Sequence, residues 1–529
     1  MTPGSVLVAT GIFLSRIAGL VRERAIAAYF GTGLHADVLG AGLRLPNVLQ
    51  NLLGEGTLSA SFIPVYSELL GQGRTRDAGR VAGAMFGLLL GVAGVIALLG
   101  ILFAPLLVSV FLPGFVGQRH ELMVAVVRIM FPMTGVLVLS AWALGILNSH
   151  RHFFLPYFAP VLWNAAIIGA LVAYASRLEL DALLMAAAWG ALAGGLLQFG
   201  IQLPAVLRLD REIRLNRGRD LPAFREAVRN AGPAILGRGV VQLSSYVDLV
   251  LASLLAIGAV ARLRYAQTLY MLPVSLFGMS VAAAELPELS RERAAADESL
   301  RTRASAAVRR VSFFVVPSLV AFVLLGDVLV AGLYRAGKFG ATDVTVVWLT
   351  LVAYSLGLLA STTTRVYQST FFALRDTKTP ARVAALRVLT AAVAGALLML
   401  QFEPVTVAGH AIAAGALADV HAAGAPLGPV GLALGAALGA WLEWTLLRMS
   451  LARRIGVCGA GMGALARMFG AALLAAAVGR ALAWSVHWPP LPAALLSAGA
   501  YGVAYFAAAR ALGLEEARAV VGALVRRSR

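Results

Sequence analysis

Residues 15–64 read SRIAGLVRERAIAAYFGTGLHADVLGAGLRLPNVLQNLLGEGTLSASFIP. An apolar helix opens the stretch and carries Arg16, Arg22, Glu23 and Arg24. A turn follows at Phe30-Gly31-Thr32-Gly33, and the chain resumes with Asp37, Arg44, Pro46, Asn47 and Glu55. An ionised side chain at the centre of a bilayer costs about 2.5–3.5 kcal/mol on insertion scales. A chain that keeps so many supplies them with water, partners or an anionic ligand. The stretch therefore reads as the wall of a polar cavity inside a membrane protein.

The rest of the chain agrees. Of 529 residues 60% are apolar and 13% charged, with a mean hydropathy of +0.82. Soluble domains carry roughly 25% charged residues. Long apolar runs recur to the C-terminus, as in a polytopic membrane protein. Gly and Ala are spread through these runs, and small residues let helices pack closely in lipid. The short alternating segments of a β-barrel are missing, so the fold class is all-α. The single cysteine, Cys458, excludes an internal disulfide framework and a Cys-rich metal site. No basic region precedes the first apolar run and Arg16 interrupts it, so the first helix is expected to stay in the mature protein.

Fourteen membrane segments are expected, at 5–29, 36–69, 80–111, 121–148, 157–176, 182–207, 230–256, 260–287, 308–334, 344–373, 382–402, 427–447, 465–486 and 491–511. Pro46 and Pro273 should kink or break the second and eighth. With the N-terminus in the cytoplasm, 29 of the 44 Lys and Arg residues fall on the cytoplasmic side, six on the other and nine within spans. That asymmetry is what the positive-inside rule gives when both termini are cytoplasmic. It also explains the net charge of +18 without a nucleic-acid patch.

Residues 208–229 mix both charge signs with spaced apolar residues. They read as a solvated linker, with an interfacial helix as the alternative, and 288–310 read the same way. Six segments precede the linker and six follow. Gly11-Ile12-Phe13-Leu14-Ser15-Arg16 in the first is answered by Pro233-Ala234-Ile235-Leu236-Gly237-Arg238 in the seventh, and Leu45-Pro46 in the second by Leu272-Pro273 in the eighth. Both halves begin on the same side, as parallel repeats about an axis along the membrane normal do.

No catalytic constellation is present: the chain has no P-loop, no HExxH and no nucleophile elbow, so it is not expected to be an enzyme or an ATP-driven pump. His150 and His152 read as interfacial residues. For Arg128, Arg387, Glu443 and Arg480 internal pairing or snorkelling is the simpler reading. Arg365 on the tenth segment is a further intramembrane charge. The first helix is different, because one carboxylate stands against three arginines. Surplus guanidinium in a cavity suits a phosphate-bearing substrate, which the planar fork binds bidentately. Asp248, near Ser244 and Ser245, suits Na⁺ or a proton, or a pairing with Arg238.

The motif Ser15 to Glu23, with Phe30-Gly31, Ala36-Asp37, Leu45-Pro46-Asn47, Glu55-Gly56 and Ser59, Phe62, Ile63, Pro64, resembles the opening of the MurJ (MviN) family. That family comprises the lipid II flippases of the multidrug/oligosaccharidyl-lipid/polysaccharide (MOP) exporter superfamily. Asn148, Phe153, Pro156, Pro160, Asn164, the run Gly232 to Gly237, Tyr334 to Asp343 and Asp376-Thr377-Lys378-Thr379-Pro380 extend the likeness over nearly the whole chain.

The resemblance implies two six-helix lobes in pseudo-twofold arrangement around a central cationic cavity. These would be an N-lobe at 1–207 and a C-lobe at 230–455, joined by a linker at 208–229. Residues 456–529 would hold helices thirteen and fourteen, which form a groove for the polyprenyl tail, and a basic tail. Arg16, Arg22 and Asp37 match family cavity positions, with Arg44 and Glu55 as further substrate-binding candidates. Gln50 and Gln267-Thr268 stand where the family often has arginines, and Arg44, Arg262 or Arg264 are candidates to compensate.

The expected function is to flip lipid II, an undecaprenyl-pyrophosphate-linked disaccharide-pentapeptide, across the bacterial cytoplasmic (inner) membrane by alternating access. No cofactor is expected beyond Na⁺ or H⁺ coupling and the membrane potential. The alternatives are a flippase for another polyprenyl-linked glycan, a cation-coupled exporter of the same superfamily, and a membrane scaffold whose charges are all paired.

Overall fold

The computed structural model describes residues 3–46, 50, 53–218, 220–282, 285, 289, 297–407 and 410–518. They form helices, with one short antiparallel hairpin (β1, Val405–Val407; β2, His410–Ile412). The chain divides into two compact units, Met1–Val260 and Ala261–Arg529.

The first unit holds α1 (Pro3–Phe30), α2 (Leu34–Arg44), α3 (Glu55–Gly71), α4 (Thr75–Leu102), α5 (Ala104–Phe111), α6 (Gln118–Ser149), α7 (Phe154–Tyr174), α8 (Leu180–Leu209) and α9 (Pro222–Ser253). α10 (Ala259–Pro273) begins at the boundary. The second unit continues with α11 (Asp297–Leu324), α12 (Gly326–Tyr334), α13 (Ala341–Leu356), α14 (Leu358–Ala373), α15 (Lys378–Phe402), α16 (Gly428–Ile455), α17 (Met462–Ser485) and α18 (Pro490–Ala511). Because the division falls at Val260, the expected seventh segment, α9, belongs to the first compact unit.

Ten helical stretches among the described residues are long and apolar enough to cross a membrane, and they cover the expected third to sixth and ninth to fourteenth segments. The second segment is broken at its proline. α2 stops at Arg44, Leu45-Pro46 form a turn and α3 starts at Glu55. Ending a helix leaves carbonyls without partners. Here the Tyr246 hydroxyl, on α9, donates to the carbonyls of Arg44 and Leu45 at 3.1 and 3.3 Å. The turn between α1 and α2 rests on Gly31, whose φ of 60° favours glycine. Pro273 acts differently. α10 continues through it into a wider π-helical stretch, Val274–Met279, which absorbs the missing hydrogen bond without ending the helix.

Small residues set the helix approaches. At Gly435 on α16, an added Cβ would lie 2.3 Å from the backbone nitrogen of Gly395 on α15. Residues 211–218 carry no helix, whereas the end of the same expected linker, from Pro222, is already helical in α9. They lie across α4, where a Cβ at Gly83 would meet the Arg214 carbonyl oxygen at 2.0 Å. Asn216 donates to the Arg80 carbonyl at 2.8 Å, and Arg80 pairs with Asp220. The second expected linker differs from its description. Its Arg301, Arg303, Arg309 and Arg310 ride on α11, which extends well before the expected start of its span. Intrahelical hydrogen bonding continues through polar residues when ion pairs flank the helix, and Glu285 takes both Arg303 (3.1 Å) and Arg310 (2.6 Å).

Candidate functional site

In the first unit the site is built on α1 and α7. The two helices meet closely at Gly11, where a Cβ would fall 2.8 Å from that of Tyr157. Further along the pair, Arg22 reaches across to α7. Its Nη1 donates to Asn164 Oδ1 at 3.0 Å, and its guanidinium lies 4.8 Å from the centre of the Trp163 ring. Its Nη2 pairs with Glu23 Oε1 at 2.7 Å, and its Nε is buried without a hydrogen-bond partner among the described residues. Arg22 is thus not a free guanidinium: Glu23, the next residue and 5% exposed, shares its charge. Asn164 is held by its own donation to the Pro160 carbonyl at 2.9 Å. Arg16, two turns earlier on α1, is exposed, and Arg24 is half-buried.

Asp37 is fully buried. Its Oδ2 accepts from Arg119 Nη2 at 2.6 Å and from the Gly258 amide at 2.7 Å. Arg119 is sandwiched against Phe115, 3.7 Å from the ring centre. In this conformation Asp37 braces the start of α2 against the start of α6 and presents no open face. Beside it, His35 Nε2 meets Asp181 Oδ1 at 2.6 Å, and Gln118 donates to the other Asp181 oxygen at 2.9 Å. Arg44 is half-buried at the end of α2, and Asp248 half-buried on α9. Asn47 and the side chains of Glu55, Arg238, Ser244 and Ser245 lie outside the described residues.

In the second unit α10 carries the polar positions. Gln267 donates to the Tyr354 hydroxyl at 2.7 Å, and Thr268 turns back onto the Arg264 carbonyl at 2.9 Å. Tyr270 bonds Ser361 at 2.7 Å, and its ring lies 5.4 Å from that of Tyr354. Arg262 and Arg264 are buried. Deeper in the unit Glu443, 1% exposed, accepts from Arg387 at 2.7 Å and from Gln368 at 2.9 Å. Arg480 grips Asp327 with both terminal nitrogens, at 2.8 and 2.9 Å. Internal pairing thus accounts for Arg387, Glu443 and Arg480. Arg128 on α6 is exposed, and no partner is found for it among the described residues.

An apolar groove of about 330 Å³ opens between Leu272–Phe277, α11 and α18, with Pro273, Phe314, Tyr501 and Phe506 on its walls. Its lining comes from the fourteenth expected segment but not from the thirteenth. Sequence reasoning had no signal for Arg119, Trp163, Tyr246 or Tyr354. Of these only Trp163, beside the motif residue Asn164, lay close to a pattern that reading could have followed.

The sequence model of a family described as "Lipid II flippase MurJ" matches residues 26–490. A relative from Burkholderia cenocepacia, named "Lipid II flippase MurJ", is 35% identical over 378 residues, covering 70% of this chain and 73% of that protein. Among solved structures, "Lipid II flippase MurJ, inward closed conformation" superposes with a TM-score of 0.74 at 21% identity, covering 95% of this chain and 98% of that one. An inward-facing multidrug resistance MATE family transporter of the MOP superfamily superposes with a TM-score of 0.66 at 16% identity, covering 83% and 94%. At these identities the structural likeness is one of fold.

Proposed function

The chain belongs to the MurJ family of lipid II flippases, multi-pass proteins of the bacterial inner membrane, and on that premise we propose how it moves its cargo. Lipid II enters a cavity open to the cytoplasm by its headgroup. Arg16, Arg22 and Arg44 hold the pyrophosphate, and Asp37 and Glu55 order the surrounding helices and cations. The polyprenyl tail stays in lipid, along the apolar groove beside α18. Rocking of the lobes, with bending near Pro46 and Pro273, then exposes the headgroup to the periplasm. A membrane potential positive outside assists by ~2.3 kcal/mol per charge per 100 mV for whatever charge crosses the field. Asp248 is the carboxylate at which coupling to Na⁺ or a proton is to be sought.

The observation that carries this reading is Arg22. A guanidinium on α1 is held between Glu23, Asn164 and the Trp163 face, with three arginines on that helix against one carboxylate. Such a group is pre-oriented, so little side-chain entropy remains to be lost when an oxyanion displaces or shares its partners. A cation exporter would favour the opposite sign in its cavity, and α1 is net basic.

The test is translocation of lipid II by proteoliposomes carrying Arg16→Ala and Arg22→Ala together. A fall of at least tenfold is expected, consistent with losing charge-assisted hydrogen bonds. Wild-type translocation by a normally inserted double variant would remove the mechanism.

A further inference from the structure

We infer that the second unit carries an anion-binding site of its own, built on Arg365 with Arg387 and Tyr270 beside it, which takes a carboxylate or phosphate of the transported headgroup. The inference rests on lipid II being the cargo.

Arg365 on α14 lies close enough to Arg387, Glu443 and Tyr270 to feel each of them electrostatically. Glu443 is the carboxylate of this group, and both its oxygens are occupied, one by Arg387 and the other by Gln368. Among the described residues Arg365 has no carboxylate. Its hydrogen bonding there is confined to a long 3.5 Å contact from Nη1 to Gln368 Oε1, and its Nε is buried without a partner. Two guanidinium groups therefore share one carboxylate, which is ion-paired with Arg387 and hydrogen-bonded to Gln368.

Position sharpens the point. α14 ends at Ala373, so Arg365 sits about two turns inside a stretch that is apolar enough to cross a membrane. Snorkelling to the near interface is a remedy for the last turn of a helix, and Arg365 lies deeper than that. From Arg365 onward, the partly open positions on α14 are Arg365, Gln368 and Phe372, spaced three and four apart on one face. Arg365 and Gln368 thus share the open face of α14, while the positions between them are buried. Tyr270 and Ser361, bonded to each other at 2.7 Å, set neutral hydroxyls beside the cations. A cationic pair whose planar forks carry only donors is complementary to an oxyanion. A headgroup of the proposed cargo offers two sources, the pyrophosphate and the carboxylates of its peptide.

The test compares two ligands on full-length protein in detergent: lipid II, and polyprenyl pyrophosphate bearing neither sugar nor peptide. Arg365→Gln should weaken lipid II binding about tenfold or more, the scale of a lost charge-assisted hydrogen bond. Arg365→Lys, which keeps the charge but not the fork, should lose less. If the bound group is a peptide carboxylate, the stripped lipid binds Arg365→Gln as it binds wild type. If it is a phosphate, both ligands weaken together. Thermal unfolding separates this site from a structural pair: Arg365→Gln should melt no lower than wild type, whereas Arg387→Gln, which strips buried Glu443 of its cation, should melt lower. Wild-type binding of both ligands by Arg365→Gln, while Arg22→Ala weakens both, would overturn the site and leave the pyrophosphate reading standing. Arg365→Gln melting as low as Arg387→Gln would also overturn it. Failure of wild type to bind either lipid would overturn the underlying reading and this inference with it.

Discussion

At the scale of single residues, burial decides which charges are structural. Asp37 is 0% exposed and Arg119 5%, and they meet at 2.6 Å. Removing one member of such a pair strands the other in a low dielectric, at a cost of about 3–5 kcal/mol. Asp37→Ala should therefore lower the melting temperature in detergent sharply. A double change to apolar residues of similar volume, Asp37→Leu with Arg119→Met, should recover most of the loss. Equal damage by the single and double variants would show that the pair is not the unit. Asp37 was legible from its motif, but its partner was not. Arg119 lies 82 positions away, in what reads as an outer loop, and nothing in local spacing ties the two. Arg22 shows the same limit: its neighbour Glu23 could be read directly, while Asn164 and Trp163 come from α7.

The motif Asp376-Thr377-Lys378-Thr379-Pro380 also acquires a physical reason at this scale. One Asp376 oxygen accepts from the amides of Lys378 (3.0 Å) and Thr379 (2.9 Å). The other takes the Thr379 hydroxyl at 2.7 Å and Arg454 at 2.6 Å. These satisfy the first amides of α15, which no intrahelical carbonyl can reach. The Thr379 amide and hydroxyl, with Arg454 as a weaker influence, hold the carboxyl down at about 2. The folded value lies below the unfolded one, so the stabilisation is complete above about pH 4 and fades as pH falls toward 2. Wild type should therefore out-melt Asp376→Asn by a constant margin above pH 5, with the gap narrowing from pH 4 downward. A gap that does not change with pH would mean that the carboxylate's charge contributes nothing.

Between elements, contact depends on what is missing. α15 and α16 approach so closely at Gly395 and Gly435 that one methyl group would collide with backbone. In lipid no hydrophobic drive compensates for a lost fit. Gly435→Val should destabilise by about 1–3 kcal/mol or more, as overpacked sites do. Gly499→Val on α18, where nothing stands within 4 Å of an added Cβ, serves as the matched control. Comparable melting of the two variants would show that the α15–α16 approach is not fixed by these glycines. The abundance of Gly and Ala announced packing of this type, but not which glycines face which. The two prolines are instructive in the same way. Both were readable as disturbances, yet Pro46 ended its helix, where Tyr246 could cap the freed carbonyls, and Pro273 only widened its own.

For the molecule as a whole, hydropathy and charge asymmetry were enough to read an all-helical membrane fold, because lipid allows few other solutions to backbone hydrogen bonding. They could not show that groove-lining residues come from α10, α11 and α18 together, since these lie far apart in sequence. That groove matters for the proposed cargo, which has a charged head and a long apolar tail that need different surroundings. If the tail lies there, blocking the groove should separate the two. Gly502 on its wall has nothing within 4 Å of an added Cβ, so Gly502→Phe would project into the groove without disturbing the helix. Its expected effect is weaker binding of long-chain lipid II, by several-fold, through lost van der Waals packing of the tail against the groove wall, since lipid supplies no hydrophobic drive. An analogue with the same headgroup and a tail too short to reach the groove should bind as it does to wild type. Equal loss for both analogues would place the disturbance at the headgroup, and no loss for either would leave the tail elsewhere in the bilayer.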